Sequence, residues 1–400
     1  MHEPAQAPMP TKPPEPGRRP RICIVVAAPL TLKAFMLGHL TALAQSAEVT
    51  AVADFTPEDE SFPWPAAVAR APVCIVRRIA PLADIAALLA LYRLFRRHRF
   101  ELVHSVTPKA GLLAMLAAWL ARVPLRLHSY TGQVWVTRRG AMRWLLRGAD
   151  RMIARLATHV LADSHSQRAF LIAEGIVTAQ KSAVLAQGSI CGVDTQRFHP
   201  DATARERVRR SHGLAADALV FLYLGRINRD KGIIDLARAF ARAGSHHAQA
   251  HLLLVGPDEG GLRAEISAAA AGCAARLHFA GLTDRPQDYF AAADVFCLPS
   301  YREGFGTTII EAAAAGVPGI GSSIYGITDA IVANETGLLF EAGNVQQLAR
   351  CMGTLAGDAA LRGRMGEQAR RRAERDFSSA VVTAAWVDCY RKLLARAQTV

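Results

Sequence analysis

The chain has 400 residues, of which 51% are apolar and 20% charged, which excludes a globally disordered protein and is enough for two ordinary domains. Its 47 Lys and Arg residues exceed its 34 Asp and Glu residues, and the net charge of +13 suits an anionic partner: nucleic acid, a phospholipid surface or a phosphorylated substrate. The seven cysteines include no Cys-x-x-Cys pair, and no apolar run reaches bilayer length. We therefore expect a cytoplasmic protein with at most peripheral membrane contact.

Short apolar runs alternate with longer amphipathic stretches from residue 21 onward, which is typical of doubly wound α/β sheets. The pattern predicts two Rossmann-like domains, 21–195 and 215–376, facing each other across a cleft. A disordered Pro-rich tail (1–20) should precede them, a polar linker (about 194–214) join them, and a helix (377–400) follow. Strands are predicted at 21–27, 49–53, 73–76, 102–104, 125–129 and 160–162 in the first domain, and at 219–224, 251–255, 277–279, 295–298 and 318–320 in the second.

The most specific motif reads SYREGFGTTIIEA from position 300, between a predicted strand and a predicted helix. Its two glycines let the backbone approach a ligand closely, and the free N–H groups at the helix start favour an anion. Glu303 in the loop and Glu311 on the helix could hold opposite ends of one extended polar ligand. An ordinary capped helix with surface acids is the alternative.

A second motif, GRINRDKG from position 225, follows the predicted strand 219–224. Arg226 and Lys231 suit a diphosphate, since Arg offers a planar fork and Lys a point charge; a solvated basic turn is the alternative. No P-loop or dinucleotide-binding glycine motif stands at a suitable strand end. No Asp-x-Asp occurs either, so we expect neither a metal nor a cofactor.

Together these motifs resemble the retaining family-4 glycosyltransferases of GT-B fold, whose acidic pair is separated by seven residues, as Glu303 and Glu311 are. The stretches FAGL (279–282), GVP (316–318) and NETGLLF (334–340) are similar to the family too. The resemblance implies a nucleotide-sugar donor, with Glu303 acting on the sugar and Glu311 binding the ribose. It further implies donor contacts from Arg226, Lys231, Leu282, Gly304, Phe305, Gly306 and Thr307.

The first half resembles bacterial enzymes that extend polyprenyl-diphosphate-linked sugars, in HSVTPKAG (104–111) and HSYTGQVW (128–135), as does IYGITDA (324–330). The resemblance implies a lipid-linked saccharide acceptor in surface polysaccharide assembly, a UDP-linked donor and an N-acetylhexosamine. It assigns His104, Lys109 and Gln133 to the acceptor and His128 to catalysis beside the donor sugar. The loop 27–33 lacks the glycines that many members carry, so no amide contact to the donor phosphate is expected there.

The stretch 138–155 is rich in arginine, and four of its arginines recur every four residues. In a helix they would form one basic stripe, which suits an anionic membrane surface, here the inner face of the plasma membrane; a solvated face is the alternative. Two other functions stay open: a UDP-sugar epimerase of the same fold and a basic nucleic-acid-binding protein. The second is disfavoured, because no aromatic RNA platform or recognition helix is evident.

Overall fold

The computed structural model describes residues 18–76 and 78–398, so most of the predicted tail lies outside the described residues. Two parallel sheets form the two domains, and this confirms the predicted pair of Rossmann-like α/β units. The first sheet has the order β3-β2-β1-β4-β5-β6-β7. Its strands are β1 (Arg21–Val25), β2 (Glu48–Ala53), β3 (Val68–Pro72), β4 (Leu102–Val106), β5 (Leu125–Tyr130), β6 (His159–Ala162) and β7 (Ser182–Ala183).

The second sheet has the order β10-β9-β8-β11-β12-β13, and all its pairings are parallel. The order reverses between β8 and β11, which is where open α/β sheets bind ligands. Its strands are β8 (Leu219–Leu224), β9 (Ala250–Val255), β10 (Leu277–Gly281), β11 (Val295–Leu298), β12 (Gly319–Ser322) and β13 (Gly337–Phe340).

Helices cover both faces of each sheet and bury the apolar side chains of the strands. Those of the first domain are α1 (Pro29–Thr31), α2 (Leu37–Leu43), α3 (Pro81–His98), α4 (Pro108–Leu120), α5 (Gly140–Leu156) and α6 (His165–Ala173). Those that follow are α7 (Ala202–Ser211), α8 (Ile233–Gly244), α9 (Arg263–Ala269), α10 (Pro286–Ala292), α11 (Thr307–Ala314), α12 (Ile327–Ala330), α13 (Val345–Gly357), α14 (Ala359–Asp376) and α15 (Ser379–Gln398).

The predicted strand at 73–76 is wrong, because the third strand lies just before it, at Val68–Pro72. That strand is at the sheet edge and mostly exposed, so it lacks the apolar run that identifies a buried strand. Val73 and Ile75 do bury their side chains in the core. Beyond the hydrogen bond that Val73 N–H donates to Ala53 O (2.9 Å), however, the chain leaves the sheet.

Of the two helices outside the predicted domains, α7 belongs to the second domain and α15 packs on the first. Within the segment predicted to be the linker, α7 packs against α10 and buries Arg209, whose guanidinium bonds Asp294 at 2.8 Å. After α14, the last helix α15 returns to the first domain and packs against α2. Trp386 and Tyr390 of α15 are buried in the first domain's core, and Trp386 donates its indole N–H to Ile190 O at 2.9 Å.

Candidate functional site

The loops at the carboxyl ends of the strands of both sheets meet in one cleft. A Cβ built on Gly304, in the loop after β11, would lie 2.4 Å from the carbonyl carbon of Thr131, in the loop after β5. Ser164, which caps α6, donates its hydroxyl to Gly304 O at 3.0 Å. Gly304, the first glycine of the GFG sequence, is therefore needed because the contact between the domains leaves no room for a side chain. This requirement is separate from any contact with a ligand.

Lys231 and Glu303 form an ion pair in this cleft, with Lys231 Nζ 2.5 Å from Glu303 Oε1. Ser300 donates its hydroxyl to the same carboxylate oxygen at 2.7 Å, and both charged side chains are largely buried. The chain turns after Lys231 at Gly232 (φ 67°), where any Cβ would collide with Pro299 O at 2.1 Å. The two sequence motifs are thus packed directly on each other.

Arg226 lies in the same loop and is paired with Glu259 at 3.0 Å. Its side chain is half-exposed, so the guanidinium can turn toward a ligand at low cost. Each of the two predicted phosphate-binding cations, Arg226 and Lys231, is therefore paired with a glutamate of the second domain.

The helix α11 begins at the GFG loop. Phe305 is buried against Phe377, with ring centroids 5.3 Å apart, and this packing holds the GFG loop in place. Among the backbone amides at the helix start, that of Thr307 is bonded only to Phe305 O, within its own turn. The positive end of the helix dipole thus points into the cleft near Glu303.

Glu311, on α11, makes no side-chain hydrogen bond with the part of the chain that the structure describes. Burial raises the pKa of its carboxyl to about 7, and the nearby Arg197 partly opposes that shift. A half-buried carboxylate without a partner is suited to accept hydrogen bonds from a ligand's hydroxyl groups. Leu282, predicted to contact the base, is 80% exposed just after β10.

The two predicted histidines lie within the first domain. His104 is fully buried, and its ring nitrogens are bonded to Tyr390 (2.7 Å) and Ser129 (2.9 Å), so it has no nitrogen left for an acceptor. His128 is bonded through Nδ1 to Ser105 at 2.8 Å, and burial lowers its pKa to about 3. The His128 ring is therefore neutral at physiological pH, and Nε2 alone could contact a ligand.

The other predicted acceptor residues differ in their surroundings. Lys109, at the start of α4, is paired with Asp84 at 2.6 Å and donates to the carbonyl of Arg78. Gln133 is almost fully buried, and its neighbour Gly132 packs against the backbone of Glu303 and Gly304. The structure therefore places Gln133 near the loop that carries Glu303, and Lys109 toward α3.

Sequence reasoning missed three residues at this contact: Arg302, Tyr325 and Asp329. Asp329 accepts hydrogen bonds from the backbone N–H groups of His165 (2.8 Å) and Ser166 (3.2 Å), at the N-terminus of α6 in the opposite domain. No local pattern could have revealed this contact, because its partners are more than 160 residues apart. Tyr325 and Asp329 lie in the IYGITDA stretch and Arg302 in SYREGFGTTIIEA, so the sequence places each in a motif but gives it no role.

Two further properties bear on ligands. Among the described residues, no group of three or more His, Cys, Asp or Glu side chains could hold a metal ion. In residues 18–76 and 78–398, no helix combines the length and the apolar character needed to cross a membrane.

Comparison with known proteins identifies both halves of the chain. Residues 36–188 match the model of the glycosyl transferase 4-like domain, and residues 204–372 match that of glycosyl transferases group 1. The capsular polysaccharide biosynthesis glycosyltransferase CapM of Staphylococcus aureus is 31% identical over 317 residues, covering 76% of this chain and 80% of CapM. The UDP-Gal:alpha-D-GlcNAc-diphosphoundecaprenol alpha-1,3-galactosyltransferase of Escherichia coli is 26% identical, covering 72% of this chain and 74% of that enzyme.

Solved structures show the same fold. Sucrose-phosphate synthase from Thermosynechococcus elongatus superposes with a TM-score of 0.78 at 24% identity, covering 94% of this chain and 100% of that chain. HepE of Anabaena, solved in complex with UDP-glucose, superposes with a TM-score of 0.76 at 18% identity, covering 93% of this chain and 99% of HepE. These likenesses confirm the predicted GT-B arrangement.

Proposed function

The chain belongs to the GT-B glycosyltransferases, and from that premise we propose that it moves a sugar from a UDP-sugar to a polyprenyl-diphosphate-linked saccharide with retention of anomeric configuration. The observation that supports this most is the buried Lys231–Glu303 pair beside the α11 N-terminus. In this pair, Lys231 is a cation that could stabilise a leaving diphosphate, and Glu303 is a carboxylate that could hydrogen-bond a sugar. Surface polysaccharide assembly is the setting that the CapM relative suggests.

The leaving group would be stabilised by protein charges. Lys231, Arg226 and the amides at the start of α11 would meet the diphosphate as negative charge develops on it, which is the role of preorganised electrostatics in catalysis. Glu303, released from Lys231, would hydrogen-bond the sugar and stabilise the positive charge at the anomeric carbon. No covalent intermediate is assigned to Glu303, and attack from the same face as the departing diphosphate accounts for retention.

The proposed nucleoside contact is Glu311 with the two ribose hydroxyls. Its carboxylate has no hydrogen-bond partner among the described residues and lies on the helix whose N-terminus would hold the phosphates. A UDP donor is supported by the UDP-Gal named for the Escherichia coli relative and by the UDP-glucose bound to HepE.

Access to a lipid-linked acceptor would come from the edge of the first domain. Helices that follow parallel strands begin at the carboxyl edge of the sheet, here the cleft edge. At that edge Leu82 and Ile85 of α3 and Trp144 of α5 expose their side chains, 85%, 55% and 76% respectively. Arg138 and Arg139, also exposed, immediately precede α5. Apolar side chains beside arginines suit an anionic membrane surface.

The test is transfer by the full chain from UDP-sugars to a synthetic polyprenyl-diphosphate-linked saccharide. Lys231→Ala should lower turnover by about two to three orders of magnitude, since one charge-assisted contact to the transition state is lost. Arg229→Ala, which removes a cation from the same loop but one paired with Glu265 outside the cleft, should keep turnover near native.

Three outcomes would contradict the proposed function. The first is full activity of Lys231→Ala with unchanged affinity for UDP. The second is conversion of the UDP-sugar to its epimer without an acceptor, which would indicate an epimerase. The third is salt-sensitive oligonucleotide binding without any use of a UDP-sugar.

A further inference from the structure

A carboxylate of the second domain lies at the N-terminus of a helix in the first domain. Asp329 Oδ1 accepts hydrogen bonds from the backbone N–H groups of His165 (2.8 Å) and Ser166 (3.2 Å), the first two residues of α6. Its Oδ2 also accepts a hydrogen bond from the Ser166 hydroxyl. The N–H groups of a helix's first turn have no partner within the helix, and their dipoles favour a negative charge. Asp329 therefore makes charge-assisted hydrogen bonds across the boundary between the domains.

The start of α6 also contacts the loop that carries Glu303. The Ser166 oxygen accepts the backbone N–H of Gly326 at 2.8 Å. A Cβ built on Gly326 would lie 2.6 Å from Gly304 O, so these two backbones pack directly on each other. Gly304 O also accepts the hydroxyl of Ser164, the residue before α6, at 3.0 Å. Two short routes therefore connect the start of α6 with the backbone next to Glu303.

Asp329 is held firmly within its own domain. The guanidinium of Arg372, a largely buried side chain of α14, donates to Asp329 O and Ala330 O, both at 2.7 Å. The same guanidinium lies 4.8 Å from the centre of the Phe377 ring, which packs on Phe305 of the GFG loop. Asp329 and the GFG loop are thus fixed to one another. Any shift of α6 against Asp329 would therefore shift the first domain against the GFG loop.

The covalent connections between the domains form a narrow joint. The chain leaves the first domain at Val193 and returns to it after Phe377. Val193 N–H donates to Phe377 O at 2.7 Å, and Ser379 N–H donates to Val193 O at 2.8 Å, so the two crossings are hydrogen-bonded to each other. Domains joined at one place can rotate about it. The angle between these domains therefore depends on their noncovalent contacts.

We propose that Asp329 and Ser166 form an interdomain latch that sets the position of the Glu303 loop against the first domain, which makes Asp329 a positioning residue for sugar transfer. The inference rests on the proposed function, in which the second domain binds the donor and the first binds the acceptor. Reaction between groups held by separate domains depends on their alignment, and a small misplacement costs much of the rate. Loss of Asp329 should therefore lower turnover without weakening nucleotide binding, because the proposed UDP contacts all belong to the second domain.

The experiment combines scattering, calorimetry and turnover of the full chain. Without ligand, Asp329→Ala and Ser166→Ala should each give a larger radius of gyration by small-angle X-ray scattering than the native chain, because the domains separate more often. Transfer from a UDP-sugar to a polyprenyl-diphosphate-linked saccharide should slow about tenfold in Asp329→Ala. It should slow by less in Ser166→Ala, which keeps both backbone N–H groups. The double variant should be no slower than Asp329→Ala, since both substitutions break the same contact.

Calorimetric titration with UDP separates positioning from a loss of folded protein. Both variants should bind UDP with native affinity and stoichiometry, whereas a partly unfolded chain would bind less than one equivalent. The matched control is Asp358→Ala. Asp358 also caps a helix, accepting the N–H of Leu361 at 2.8 Å at the start of α14, but within one domain. This control should keep the native radius of gyration and turnover.

Three results would overturn the latch: an unchanged radius of gyration in Asp329→Ala, a loss of turnover no larger than that of Asp358→Ala, or weaker binding of UDP by Asp329→Ala. Should Asp329→Ala fail to fold, Ser166→Ala decides alone. A native chain that neither binds UDP nor transfers a sugar would contradict the proposed function, whereas the scattering comparison needs no substrate and still decides whether Asp329 and Ser166 hold the domains together.

Discussion

Glu303 has two hydrogen-bond partners in the cleft, Lys231 and Ser300. In the proposed function, the donor diphosphate would take over the contact with Lys231, and the donor sugar the contact with Glu303. The loops that carry Arg226, Lys231 and Glu303 could be placed from the sequence, because each directly follows a predicted strand. The contact between Ser164 and Gly304 could not be predicted, since its partners are 140 residues apart and come from different domains.

Glu303→Gln should lower kcat by about two orders of magnitude while changing the KM for the donor little, because its contact with the sugar strengthens as positive charge develops. The measurement is steady-state kinetics with varied donor. Glu341→Gln, a surface acid after β13, is a control that should leave kcat unchanged. Intact turnover of Glu303→Gln at saturating donor would remove it from the catalytic role.

Glu311 should make UDP binding depend on pH. With its pKa raised to about 7, the carboxylate ionises between pH 6 and 8, and the charged form is the stronger acceptor for ribose hydroxyls. The affinity of the native chain relative to Glu311→Gln should rise about tenfold over that range. Titration of the UDP phosphate is common to both proteins and cancels in the ratio. An unchanged ratio would show that Glu311 does not contact the ribose.

The Glu311 carboxyl should also make the stability of the fold depend on pH. Because folding raises the pKa of Glu311 above its ordinary value of 4.5, the folded chain keeps the proton over a pH range where the unfolded chain has lost it. Its contribution to the free energy of unfolding therefore falls as pH rises from about 4.5 to about 7. Urea unfolding should show that Glu311→Gln has the flatter pH dependence across this interval.

At the scale of elements, α5 differs from its predicted form. The sequence predicts one basic stripe along 138–155, but Arg147 turns inward to Glu174 at 2.7 Å and also stacks over Trp135. Three of the exposed arginines, Arg138, Arg139 and Arg143, lie at the N-terminal end beside Trp144, and Arg155 is exposed at the other end. Helical periodicity identifies which residues share a face, but it does not show which of them find a partner on a neighbouring element.

That concentration leads to a prediction about vesicle binding. The double substitution Arg138→Ala with Arg139→Ala should weaken co-sedimentation with anionic vesicles by roughly thirtyfold, from about 1 kcal/mol per arginine, and high salt should weaken native binding. Arg370→Ala with Arg371→Ala on α14 removes the same charge from the second domain and should have little effect. Equal binding to neutral and anionic vesicles would contradict the proposed binding of anionic lipid at the N-terminal end of α5.

At the scale of the whole molecule, the domains are held together by contacts that the sequence does not encode locally. Asp329 caps α6 across the cleft, Ser164 reaches Gly304, and α15 returns to bury Tyr390 against His104. The alternation of strands and helices predicts the two sheets and the cleft between them. It cannot predict that a helix after the second domain completes the first, because that depends on a tertiary contact with His104, 286 residues away in sequence.

The proposed chemistry is sugar transfer with retention, in a cleft where protein charges stabilise the leaving diphosphate. The most direct measurement is the anomeric configuration of the transferred sugar, read from the proton couplings in the NMR spectrum of the product made from a UDP-sugar and a polyprenyl-diphosphate-linked saccharide. We expect the transferred sugar to have the same anomeric configuration as in the donor. A product of opposite configuration, or no product from any UDP-sugar under conditions where the chain is folded, would contradict it.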